Sequence, residues 1–184
     1  MKKKVILLAW ILSYVLCISF LSSCSEQQSY NTVTNFTMSA KDVDEFIKRS
    51  DIGMSFGKGF VVDNLYVLPS RLWIEKEFSQ ALSQFQRSLK TSVWTAEEND
   101  CDDFSRFAAF FAEYLHYNTQ NKLPKTALCF GEFAYQRDIG GAHAINVFLY
   151  RENNKVQMAF YEPQTCKVVV LSESEKMSCL FYRF

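Results

Sequence analysis

The 184-residue chain has no CxxC pair, no internal repeat, no low-complexity tract, and only two histidines. Without closely paired cysteines a zinc ribbon is not expected. With two histidines, imidazole chemistry has to come from His116 or His143. Its 20 basic and 20 acidic residues cancel, and no basic stripe gathers along any segment, so nucleic acid is not an expected partner. What the chain does have is aromatic side chains, at 16% of residues, and they fall in the periodic segments, where core packing accounts for them.

The first residues, "MKKKVILLAWILSYVLCISFLSSCSEQQ", put three lysines before an apolar run from Val5 to Leu21 and then small residues ending in Cys24. That order of basic, hydrophobic and small-residue regions is the layout of a secretory signal. Leu21-Ser22-Ser23-Cys24 resembles a bacterial lipobox, in which the cysteine is lipidated and starts the mature chain. A membrane-spanning helix is the competing reading, because Val5 to Leu21 approaches the roughly 17 to 25 residues that cross a bilayer. The stop at a small-small-cysteine site followed by a polar stretch favours the signal. The expected organisation is therefore a signal over residues 1–23, a polar tether over 24–37, and one domain over 38–184. The expected location is a bacterial cell envelope, at the outer membrane or cell surface, with the membrane engaged through lipidated Cys24.

Removing residues 1–23 from 184 leaves 161, enough for one domain with a fair core. The signal takes three lysines with it, leaving 17 basic against 20 acidic residues, a net charge of about −3. Cys17 leaves with the signal and Cys24 goes to lipid, so Cys101, Cys129, Cys166 and Cys179 remain. Export permits up to two disulfides among them. If Cys101 stays free, the other three form at most one.

Along the domain, "SAKDVDEFIKR" from Ser39 has an N-cap and places Val43, Phe46 and Ile47 on one face of a short helix. "GKGFVVDNLYVLPS" reads as a loop with one or two short extended pieces. Pro69 and Ser70 open a longer helix with Ile74, Phe78, Ala81, Leu82, Phe85 and Leu89 recurring every three or four residues. A second helix from Cys101 carries Phe104, Ala108, Phe111, Ala112 and Leu115 in one register, which turns Cys101 toward the packed side. After Pro124 the period changes, and "ALCFGEFAY", "AHAINVFLYR", "KVQMAFYEPQ", "KVVVLSE" and "MSCLFYRF" read as strands. Helices first and an antiparallel sheet second make an α+β order.

Cys101 sits inside "WTAEENDCDDFSRFAAFF", at a helix start and among five carboxylates. The helix N-terminus favours a thiolate, and the acids oppose it. His116 lies about four turns along the same helix, too far to serve the thiol at roughly 1.5 Å per residue, and reads as a surface or C-terminal helix histidine. His143 starts a strand after "DIGG", where a side chain readily faces a cleft. The next two strands form a hairpin. A four-residue "RENN" loop puts Glu162 directly opposite His143, and a two-residue Asn153-Asn154 loop makes it the diagonal neighbour on the same face. A three-residue loop would flip the parity and separate them. A thiol at a helix start and an imidazole backed by a carboxylate on a following sheet form a cysteine-peptidase arrangement, with Cys101 as nucleophile, His143 as base and Glu162 as orienting partner.

Trp94, Asp100-Cys101-Asp102-Asp103-Phe104, His143-Ala144-Ile145-Asn146 and Tyr161-Glu162-Pro163-Gln164 together resemble the papain-like C-terminal domain of the mushroom agglutinins and its bacterial relatives. The similarity spans about residues 66 to 170. It implies a papain-like or transglutaminase-like cysteine peptidase fold, the same roles for Cys101, His143 and Glu162, and Trp94 lining the substrate site. Members of that family depend on calcium, as calpains do. Glu97 and Glu98, and above all Asp100, Asp102 and Asp103, then gain a use as hard oxygen ligands whose cation neutralises their field. There is no EF-hand pattern, and acids as ordinary caps and dipole partners of the helix are the simpler account. The lectin part of the mushroom proteins has no counterpart in this chain. The expected function is a membrane-anchored thiol hydrolase acting, as a monomer, on peptide or protein substrates. The alternatives are a transglutaminase-like acyl transferase or a catalytically inactive surface binding lipoprotein of the same fold.

Overall fold

The computed structural model describes residues 33–50, 52–53, 58–89, 95, 100–118 and 125–184. The signal, Cys24, Trp94, Glu97 and Glu98 lie outside these residues.

The chain enters the fold earlier than its polarity suggests. Strand β1 spans Val33–Ser39, so residues 33–37 of the expected tether are part of a sheet. Thr and Val favour extended backbone, Phe36 packs on the core, and the Thr34 hydroxyl donates to the Leu68 carbonyl at 3.2 Å. Helix α1, Ala40–Arg49, starts as expected at Ser39, in a capping box with Asp42, and buries Val43 and Ile47. Strands β2 (Lys58–Phe60) and β3 (Leu65–Pro69) are the two extended pieces in the following loop.

The next helix begins with a turn α2, Arg71–Trp73, capped by the Ser70 hydroxyl, widens into a π-turn over Ile74–Phe78, and continues as α3, Ser79–Ser88. The wide turn has a visible cause at its end: the Ser79 hydroxyl donates back to the Ile74 carbonyl at 2.7 Å and meets Tyr161 Oη at 3.1 Å. Ile74, Phe78 and Leu82 are fully buried, whereas Leu89, expected on the same face, falls past the helix end and is exposed. Helix α4, Cys101–Tyr117, follows the predicted register and buries Phe104, Ala108, Phe111 and Ala112.

The C-terminal half supplies β4 (Ala127–Leu128), β5 (Phe130–Gln136), β6 (Ala142–Glu152), β7 (Lys155–Glu162), β8 (Lys167–Val169), a short helix α5 (Glu173–Met177) and β9 (Cys179–Arg183). The predicted strand "KVVVLSE" therefore stops at Val169. Ser172 and Glu175 form a capping box there, a local helix signal within reach of sequence reasoning. Six strands form one sheet in the order β2-β9-β5-β6-β7-β8, and β1-β3-β4 form a second. The sheets are not purely antiparallel: β2–β9 and β3–β4 are parallel pairs, and the N-terminal half contributes strands as well as helices. The architecture is mixed α and β.

The two faces of the six-stranded sheet carry two cores. Phe133, Tyr135, Ile145, Val147, Leu149 and Phe160 face one way, against Val43 and Ile47 of α1. Phe130, Phe148, Tyr150 and Tyr161 face the other, against Phe78, Leu82, Ala108 and Phe111 of the long helices. Phe78 sits at the centre of that second core, with ring centroids 5.2 Å from Phe130 and 5.4 Å from both Trp73 and Tyr161. His116 is 2% exposed, so the histidine expected at the surface is part of the interior of this helix layer.

Candidate active site

The hairpin between β6 and β7 closes through Asn153 and Asn154, both with positive φ (49° and 62°), after the last rung Glu152↔Lys155. Asn is the side chain that best tolerates this conformation, and two such residues make the tight turn whose twist suits a hairpin. Of the registers weighed from sequence, the two-residue loop is the one adopted, and it makes Glu162 the diagonal neighbour of His143. At the other end of β6, Gly140 (φ 91°) and Gly141 (φ 80°) close the turn back from β5. That turn pairs Gln136 with Ala142 and Tyr135 with His143.

The β6–β7 ladder ends at Asn146↔Tyr161, whereas β5–β6 continues to Gln136↔Ala142. His143 and Glu162 thus stand beyond the last rung of their own pair, and their side chains bridge the opening: His143 Nε2 lies 2.7 Å from Glu162 Oε2. Each side chain is 14% exposed, so the pair is largely shielded and still reachable. Glu162 is itself held, since Oε1 accepts the Gln164 amide at 3.0 Å. The Tyr135 ring meets the imidazole edge-on at 5.9 Å between centroids. With Glu162 ionised, Nε2 carries the proton and donates it, which leaves Nδ1 as a lone-pair acceptor.

Cys101 occupies the first position of α4 and is partly exposed. Asp100 stands at the N-cap with extended backbone, yet its side chain makes no capping bond. Asp100 is therefore not a regular cap of this helix, while Asp102 and Asp103 stand in its first turn, where they suit the helix dipole. Asp102 and Asp103 also pair with Arg106, at 2.9 and 3.5 Å. One oxygen from each of Asp100, Asp102 and Asp103 can lie within 4.8 Å of the others. The hydrogen bond with Asp102 raises the Asp100 carboxyl above its ordinary range, and the same bond, helped by Arg106, holds Asp102 below it.

Helix α4 and strand β6 are tied at this end of the sheet. The Ser105 hydroxyl donates to the Ile145 carbonyl at 2.7 Å, and Asn146 Nδ2 donates to the Ser105 carbonyl at 2.8 Å. Two turns further on, Glu113 accepts the Leu128 amide at 2.8 Å, near the Phe130↔Phe148 rung. The helix and β6 therefore run in the same sense, and one turn back from Ser105 brings Cys101 to the end of the sheet where β6 begins. Among the described residues no hydrogen bond joins Cys101 to His143. His143 shares the sheet face of Tyr135 and Ile145, while α4 covers the face of Asn146 and Phe148.

The four cysteines among the described residues, Cys101, Cys129, Cys166 and Cys179, are free thiols. Burial pushes Cys129, Cys166 and Cys179 up, the last to about 12, which takes the buried Cys129 and Cys179 out of nucleophilic chemistry near neutral pH. Tyr135 and Ser105 are site neighbours that the sequence reading did not single out. Counting outward from the Gly140-Gly141 turn would have found Tyr135. Ser105 carries only the signal of a small polar residue on the apolar face of its helix.

No known family profile matches the sequence, and no curated protein matches it. Solved structures do. One is PSL1a in complex with E64, with a TM-score of 0.61 and 26% identity over 80% of this chain and 50% of that one. Another is Polyporus squamosus lectin bound to the human-type influenza-binding epitope Neu5Aca2-6Galb1-4GlcNAc, with a TM-score of 0.60 and 24% identity over 84% of this chain and 55% of that one. The chain spans about half the length of these lectins, and over that half it shares their fold.

Proposed function

We propose that Cys101, His143 and Glu162 form a thiol-hydrolase site on a papain-like or transglutaminase-like scaffold. The observation that carries this reading is the 2.7 Å His143–Glu162 bond across the open end of β6 and β7, at the end of the sheet where α4 begins. Cys101 Sγ attacks an amide carbonyl while its proton passes to His143 Nδ1. The proton then goes to the leaving nitrogen as the C–N bond breaks, leaving a thioester. Water, deprotonated by His143, attacks the thioester, releases a carboxylate and restores the thiol. An amine in place of that water gives the transglutaminase variant. The Cys101 N–H is a natural donor to the oxyanion.

The second reading is a catalytically inactive binding lipoprotein of the same fold. The solved neighbours are lectins, which fits this alternative more than a peptidase, and the second of them is solved with a sialylated glycan epitope. The unbonded Cys101–His143 pair also speaks for it. Under either reading we propose Cys24 as the lipid anchor of a cell-envelope protein and Trp94 as part of the substrate wall, both on the sequence alone. We also propose Asp100, Asp102 and Asp103 as ligands of a calcium ion, which would offset the charge beside the thiol.

Mapping iodoacetamide adducts by mass separates the two readings. The thiol reading expects Cys101 to label at least about tenfold faster than free cysteine at neutral pH, because a thiolate is the reacting species. It also expects calcium-loaded protein to react fastest, an Asp100/Asp102/Asp103→Asn triple variant next, and chelated wild type slowest. Labelling of Cys101 no faster than free cysteine, indifferent to calcium, supports the binding reading.

A further inference from the structure

Ser105 and Asn146 are both fully buried, and both are poor choices for where they stand. A serine in the interior of α4 and an asparagine in the middle of β6 are disfavoured by propensity and costly to desolvate. Around them the helix–sheet contact is made by Ala108, Phe111 and Ala112, side chains that hold two elements together without fixing how far one slides along the other. Hydrogen bonds are directional, and here they interlock. Ser105 Oγ donates to Ile145, the residue just past the last β6–β7 rung. Asn146 Nδ2 donates both to the Ser105 carbonyl and, at 3.1 Å, to the Gly131 carbonyl of β5. One helix turn is thereby pinned to two neighbouring strands at the rungs beside the site.

We infer that Ser105 and Asn146 are positioning residues of the proposed thiol site, which set the height of the first turn of α4 against the start of β6. The inference rests on the thiol reading. Cys101 lies one turn before Ser105, about 6 Å along the axis at roughly 1.5 Å per residue, and His143 lies two residues before Ile145. Whatever moves Ser105 along the sheet moves the thiol relative to the imidazole. A misplacement of about 1 Å between reacting groups can cost on the order of a hundredfold in rate.

The test is the pH profile of Cys101 alkylation in the full-length protein, alongside its melting temperature. Ser105→Ala removes one bond of the clamp and puts in a better helix former, so the variant folds. Ala112→Gly, further along the same buried face, is the control for a merely weakened helix. The clamp predicts that Ser105→Ala moves the acid limb of the profile toward that of an ordinary thiol, slowing alkylation at pH 6.5 by about tenfold per unit of movement. Ala112→Gly should lower the melting temperature at least as much and leave the profile in place. If Ser105→Ala superimposes on wild type, or Ala112→Gly shifts the profile equally, the positioning role is overturned. If wild type itself titrates as an ordinary thiol, the thiol reading fails first, and that is seen before any variant is compared.

Discussion

Cys101→Ala is expected to abolish amide hydrolysis, by on the order of 10⁴-fold or more, and to leave the fold in place. Under the proposed thiol mechanism the rate loss follows from removing the atom that would form the covalent intermediate, since a catalytic unit without its nucleophile retains only residual activity from binding and oxyanion stabilisation. The stability cost is small because the change deletes one partly exposed sulfur at the first position of a helix, with no disulfide to break. About 1 kcal/mol or less is expected, equivalent to roughly 2 to 4 °C in melting temperature. Hydrolysis assayed on a denatured protein substrate, with thermal melts in parallel, checks both halves. Under the binding reading there is no hydrolysis to lose.

The largest effect on stability is expected for Phe78→Ala. The side chain is fully buried, closes the π-turn as its last residue, and touches the rings of Trp73, Phe111, Phe130 and Tyr161, so it joins α2, α4, β5 and β7 at one point. Truncating it leaves a cavity that four rigid aromatic neighbours cannot collapse to fill. The expected cost is about 3 to 5 kcal/mol, or roughly 6 to 20 °C in melting temperature. Urea unfolding measures it directly. A loss below about 1 kcal/mol would mean that the helix layer closes over the gap and that this core is less rigid than its packing implies.

The elements with a strong local pattern were legible in the sequence. The α1 and α4 registers follow from apolar spacing of three and four residues, and Ser39 marks its helix start. The His143–Glu162 pairing was narrowed by parity alone to two registers out of three, because side chains alternate along a strand and an even loop keeps both on one face. Parity could not choose between the two. The choice belongs to Asn153 and Asn154, whose tolerance of positive φ allows the tighter turn. What stayed hidden depends on contacts between distant segments. The burial of His116, the pairing of residues 33–37 with β3, and the parallel β2–β9 and β3–β4 pairs leave no trace in a window of ten residues. The short helix α5 is different, because its capping box lay in plain view inside a stretch whose valines suggested a longer strand.

The central claim is that Cys101 works with His143 and that Glu162 holds His143 in place. The most direct measurement is the rate at which E64, an epoxide that alkylates thiolates, adds to Cys101 at pH 6 in wild type, His143→Ala and Glu162→Gln, followed by intact mass and peptide mapping. At that pH an ordinary thiol with a pKa of about 8.5 is only about 0.3% thiolate, so an imidazolium partner raises the reactive fraction steeply. The lower intrinsic nucleophilicity of a more acidic thiol takes back part of that gain, leaving a net advantage of about tenfold. The account predicts a single adduct, on Cys101, forming about ten times faster in wild type than in His143→Ala, with Glu162→Gln between them. Equal rates in all three proteins, or an adduct on Cys166 in place of Cys101, would contradict it.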